Sequence, residues 1–112
     1  MKFLMTYESS TKTPPTPEQL AAIGKFTAEM IQSGVVVMTG GLQRPSKATH
    51  VKLASGKLTV TDGPFAETKE LIDGFALIEV ESREEAVKMA ERFMQVAGDG
   101  EGEVLQVYEF GR

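Results

Sequence analysis

Among the side chains able to move protons or hold charge, one group stands close together in the sequence. Asp62 heads the run Asp62-Gly63-Pro64-Phe65-Ala66-Glu67-Thr68-Lys69-Glu70, which sets four charges, a Gly-Pro pair and one large aromatic between two apolar stretches. A carboxylate turned toward an apolar pocket has its pKa raised and exchanges protons near neutral pH, so Asp62 is the candidate catalytic acid or base. An Asp before Gly-Pro also has a structural use, accepting the amide hydrogens of its own turn. Lys69 is the candidate cation for an anionic ligand, while Glu67 and Glu70 either bind a polar group or pair with it at the surface. Arg44, just after Gly40-Gly41, can reach a carboxylate or phosphate. Tyr7 offers a hydroxyl to a pocket or lies in an interface, and Phe65 can shape a pocket wall while its buried ring anchors the loop. His50 is the sole histidine. It alternates with Lys52 on the strand face opposite Asp62, as a solvated residue does, and a direct His50–Asp62 pair needs a register shift or a bulge.

Other chemistries lack their residues. With one histidine, no cysteine and no HExxH-type helical pair, neither a metal site nor thiol catalysis is expected. Gly40-Gly41 is followed by neither Lys-Ser/Thr nor a helix start, so no nucleotide or other cofactor is expected. Twelve basic against sixteen acidic residues give a net charge of −4 with no basic block, which argues against a nucleic-acid partner. The longest apolar runs, such as Val35 to Met38, fall far below the ~20 residues of a membrane span. Met1 to Met5 reads as a first strand rather than a leader, and the expected location is the cytoplasm.

The elements that must position these groups fit one domain of 112 residues. Lys2 to Tyr7 alternate as a strand, with Phe3, Met5 and Tyr7 on one side and Leu4 and Thr6 on the other. After a Ser/Thr/Pro-rich linker from Glu8 to Thr16, a capping box of Thr16 and Gln19 with Pro17 at the first position predicts a helix over about 17 to 33, ended by Gly34. Val35 to Met38 reads as a strand covered on both faces and broken by Gly40-Gly41. Following the connection from Leu42 to Lys47, Ala48 to Ala54 and Lys57 to Asp62 predict a hairpin about Ser55-Gly56, pairing Val51 with Val60 and Leu53 with Leu58. Asp62 then shares the face of Leu58 and Val60.

Phe75 to Val80 is the strongest strand and belongs at the sheet's centre. Ser82 to Glu85 forms a second capping box, and Ala86, Met89 or Ala90, Phe93 and Ala97 make the stripe of a second helix closed near Gly98. The acidic, Gly-rich run to Glu103 leads into a last strand from Val104 to Phe110. The order is the α+β, ferredoxin-like βαββαβ pattern with an inserted hairpin. Two helices cover one face of such a sheet, yet both faces carry apolar groups, so the open face calls for a partner, most simply a second copy in a homodimer.

The run from Asp62 to Glu70 resembles that of DGPF-domain proteins of the YCII-related superfamily. The likeness extends to Gly40-Gly41-Leu42, Thr59-Val60-Thr61, Gly74-Phe75, Ser82-Arg83-Glu84-Glu85-Ala86 and Gly100-Glu101-Gly102-Glu103, and so covers nearly the whole chain. It implies a ferredoxin-like dimeric α/β barrel with a small-molecule pocket between sheet and loops. In related proteins a histidine and an aspartate are proposed as an acid/base pair, but the first helix here holds no histidine. Genes of the family often neighbour those of alternative sigma factors, and the resemblance thereby implies a link to transcription. Two functions follow as expectations: an enzyme using Asp62 on a small metabolite, with Tyr7, Arg44, Phe65 and Lys69 binding it, or a non-catalytic dimeric binding or regulatory module.

Overall fold

The computed structural model describes residues 1–10, 15–42, 49–63 and 73–110. Within them the chain runs β1 (Lys2–Ser9), α1 (Pro17–Gln32), β2 (Val36–Gly41), β3 (Thr49–Ala54), β4 (Lys57–Asp62), β5 (Gly74–Glu79), α2 (Arg83–Ala97), β6 (Gly100–Glu101) and β7 (Val104–Val107). The main sheet places β5 between β2 and β1, and the far edge of β1 pairs with both β6 and β7. Every pairing is antiparallel. The architecture is α+β and compatible with a ferredoxin-like fold.

Alternation along β1 and β5 decides where the core lies. Phe3 pairs with Ile78 and Met5 with Ala76, so their side chains share a face, and that face meets Met30 of α1 and Ala86 and Met89 of α2. Ile78 is fully enclosed. The other face carries a row across four strands, since Met38 pairs with Leu77, Leu77 with Leu4 and Leu4 with Leu105. Met38 and Leu105 are exposed.

The helix ends follow their sequence signals. Thr16 and Gln19 exchange both hydrogen bonds of the capping box. At the other end the Gly34 amide donates to Ile31 and the Val35 amide to Met30, the paired bonds of a Schellman motif, with Gly34 at φ 83°. The start of α2 differs from the expected box: Ser82 accepts from the Glu85 amide, but the Glu85 carboxylate receives the amide of Glu81.

Four strands differ from their sequence reading, and one of them, β6 at Gly100–Glu101, lies where only an acidic, Gly-rich run toward the last strand was expected. β2 does not stop at the glycine pair, because Gly40 and Gly41 still pair with Phe75 and Gly74. It is an edge strand with Val37 and Met38 exposed, and the register shifts between Val36 and Met38. β1 runs on through Glu8 and Ser9, which pair with Glu101 and Gly100. β7 ends at Val107 because that residue faces Lys2, where the β1 ladder begins; beyond it, Glu109 forms an ion pair with Lys2.

The hairpin β3–β4 forms a sheet of its own with the expected pairs Val51–Val60 and Leu53–Leu58. Its two turn residues both have positive φ, 50° at Ser55 and 77° at Gly56, as a type I′ turn requires. Its apolar face lies open, with Leu53 71% exposed. Among the described residues, no helix is long and apolar enough to cross a membrane.

Thr6 and Glu103 tie the last strands to β1 by two hydrogen bonds, Thr6 amide to Glu103 carbonyl and Glu103 amide to Thr6 hydroxyl. A Cβ on Gly102 would overlap the Thr6 carbonyl, whereas one on Gly24 in α1 would meet nothing. In urea denaturation, Gly102→Ala is expected to lose about 1–3 kcal/mol or more. Gly24→Ala is expected to gain roughly 0.5–1 kcal/mol, the ordinary helix-interior difference.

Candidate functional site

The helix face of the sheet is not filled to its end. Near the core α1 reaches the sheet through Met30, but Gln19, Leu20, Ile23 and Thr27 of its earlier turns face a cavity of about 770 Å³. Leu20, Ile23 and Thr27 recur every three or four positions and Gln19 lies four before Ile23, so they form one stripe of the helix. Opposite them stand Met5, Tyr7 and Ser9 of β1, Asp73 with the start of β5 as far as Ala76, and the end of β2. Phe93, Ala97, Gly98 and Asp99 close the wall from the end of α2.

Tyr7 occupies the middle of this wall because it continues the inward parity of Phe3 and Met5. Its ring meets Phe93 edge-on, with centroids 5.3 Å apart at 81°. Its hydroxyl donates to the carbonyl of Gly98 at 3.0 Å and to that of Asp99 at 3.2 Å. Burial pushes the Tyr7 pKa above 10.0; a hydrogen bond with the Ser9 side chain works the other way, and the negative charges of Asp73 and Asp99 push it further up.

Asp73 holds the rim. Its amide donates to the Tyr7 carbonyl at 2.8 Å, its carbonyl accepts from the Leu42 amide at 2.9 Å, and its carboxylate accepts from the Ser9 amide at 2.7 Å. One residue thereby joins the ends of β1, β2 and β5. Thr39 adds a bond from its hydroxyl to the Phe75 carbonyl at 2.8 Å.

Of the residues singled out in the sequence, Tyr7 lines this cavity. Asp62 lies apart from it: exposed at the end of β4, it accepts a hydrogen bond from the Thr49 hydroxyl at 2.8 Å. The pairing of Thr49 with Asp62 puts that bond across the open end of the hairpin, on the face of Val51 and Val60. His50 pairs with Thr61 and stands on the other face. Arg44, Phe65, Glu67, Lys69 and Glu70 lie outside the described residues. Asp73 and Asp99 are not singled out by the sequence reading, and Gln19 enters it only as part of the capping box of α1. Asp73 did have a signal, an Asp directly before the Gly74-Phe75 strand start, but its three partners come from distant parts of the chain.

The raised Tyr7 pKa has a direction that can be checked. The folded state favours the neutral phenol, so Tyr7 contributes stability below pH 10.0 that is lost as pH rises through the higher folded value. An ultraviolet tyrosinate titration in a Tyr108→Phe background is expected to show Tyr7 ionising above its ordinary range. Tyr7→Phe is expected to cost about 1 kcal/mol of stability and to remove that alkaline dependence.

Comparison with known proteins adds two findings. The family model for the YCII-related domain matches residues 1–111. The protein named "Uncharacterized protein R00369" of Rhizobium meliloti (strain 1021) is 37% identical over 60 residues, a match that takes in 54% of this chain and 48% of that protein. The match thus spans about half of each.

Proposed function

The chain belongs to the YCII-related family, and on that footing we propose that it binds a small, largely apolar metabolite in the cavity between α1 and the sheet. The observation that carries the reading is the cavity itself: concave, walled mainly by carbon, and furnished with a few polar groups of fixed orientation, which is how small-molecule sites are built. Asp73 and the Tyr7 hydroxyl are those groups, each held by backbone partners. We read Asp62 as closing the hairpin through Thr49 rather than as the acid or base of this cavity.

Phenethyl alcohol is a suitable neutral probe. In backbone-amide NMR titrations it is expected to perturb Gly40, Gly41, Gly98 and Asp99, to lose that effect in Ile23→Trp, where the added ring fills the space, and to keep it in Asp62→Asn. Perturbations confined to other parts of the molecule would overturn the reading.

The same reading includes a homodimer closed over the open sheet face. The row Met38, Leu77, Leu4 and Leu105 supports it, because contiguous apolar groups across a sheet mark a face that gains by leaving water. Sedimentation of the unmodified protein is expected to give a dimer. Leu105→Glu, which sets a charge in that row, is expected to give a folded monomer; a monomer before substitution would sink the proposal.

A further inference from the structure

We infer that the hairpin β3–β4 is a dimer arm whose apolar face packs on a second copy of this chain; this rests on the dimer reading above and adds a part of the interface that the sheet row leaves out. Every residue of both strands is exposed. The two strands pair with each other and with no other described strand. The Cα radius of gyration is 16.1 Å, against about 13 Å for a compact chain of this length, as a projecting arm requires.

All six residue pairs of the ladder nevertheless form, and alternation sorts them into two unlike faces. Val51, Leu53, Leu58 and Val60 make one face, ended by the Thr49–Asp62 hydrogen bond, while Lys52, Lys57, Thr59 and Thr61 stand on the other. One solvated face and one continuous apolar face is the pattern of an antiparallel sheet whose apolar side is covered. Those four apolar residues are between 61% and 71% exposed, so the described part of the chain does not supply the cover.

The area favours a second copy as the occupant. A stable association buries about 800 Å² on each partner. The sheet row falls short of that by itself, since Leu4 and Leu77 are already partly buried and only Met38 and Leu105 of the four are exposed. The hairpin face adds roughly 300 Å² of apolar surface. A two-fold contact is reciprocal, so each copy buries both the arm it gives and the surface beneath the arm it receives. Other occupants fit less well. Elements that seek a membrane surface are anchored by aromatic rings, whereas this face holds none and the tip of the hairpin is Ser55-Gly56. Strand addition along an edge of the hairpin would leave its apolar face open, so the contact is made by the face.

The test begins with the unmodified protein, assembled as a mixed dimer of one isotope-labelled and one unlabelled copy. Isotope-filtered NOE spectra are expected to show contacts from the methyl groups of Val51, Leu53, Leu58 and Val60 to the other copy. Leu53→Lys combined with Leu58→Lys, at two exposed positions, is expected to raise the dimer dissociation constant about a hundredfold in sedimentation equilibrium. Thr59→Lys, on the opposite face, is expected to leave it unchanged. If the protein is a dimer but the hairpin methyls contact only their own copy, residues 43–48 and 64–72 included, the arm falls and the sheet-face dimer stands. The arm falls equally if the double variant dimerises as tightly as the unmodified protein; should that variant fail to fold, the NOE result decides alone. If the unmodified protein is a monomer, the dimer reading fails and takes the arm with it.

Discussion

Asp73 holds together the part of the molecule in which function is proposed. The ladder between β1 and β5 reaches its last pair at Tyr7 and Gly74, and β2 ends beside it at Gly41. Without a junction, three strand ends would fray there. Asp73 supplies it with its amide, its carbonyl and its carboxylate, bonded to Tyr7, Leu42 and Ser9. The bond from the Ser9 amide to an ionised group is of the stronger, charge-assisted kind. The rim of the cavity is therefore framed by backbone.

The cavity exists because the helices leave part of the sheet uncovered. Among the described residues the buried core is six side chains, from Phe3 to Met89, and two of its members on the helices are methionines, whose flexible chains fill irregular gaps. That cluster brings the C-terminal half of α1 against the sheet. Toward its N-terminus the helix presents Ile23 and Leu20 to the cavity. At the far wall, Tyr7 against Phe93 and the Tyr7 hydroxyl on the Gly98 and Asp99 carbonyls fix the end of α2 relative to β1. The space between those two arrangements is the proposed site.

Among the described residues two further apolar surfaces are continuous, the row across the open sheet face and one side of the hairpin. An isolated two-stranded hairpin is marginal in water, so Val51, Leu53, Leu58 and Val60 need cover that no other strand of this chain gives among the described residues. The Thr49–Asp62 bond and the type I′ turn hold its two ends, but they bury little. Both surfaces fit a dimer better than a solitary chain, which is why the dimer belongs to the functional proposal.

Local signals made most of the elements legible: Thr16-Pro17 and Gln19 opened α1, Gly34 closed it, Ser55-Gly56 turned the hairpin, and the alternation of Phe3, Met5 and Tyr7 chose the inward face of β1. Each depends on a few neighbouring residues, through φ preference, a reciprocal hydrogen bond or a period of two. Strand ends were less legible, since Gly40-Gly41 continues β2 and Val107 ends β7 only because β5 and β1 offer or withhold a partner there. The site was the least legible. Its residues come from β1, α1, β5 and α2, and no spacing along the chain reveals that Ser9 and Asp73, or Tyr7 and Gly98, are neighbours. The sequence by itself determined the order of the helices and longer strands and their apolar faces, because those are set by local backbone and side-chain preferences; the two-residue β6 exists only through its pairing with Glu8 and Ser9. Only the tertiary structure decided that Asp73 and Tyr7, rather than the conspicuous Asp62, stand at a cavity, because that depends on which distant strand ends the sheet brings together.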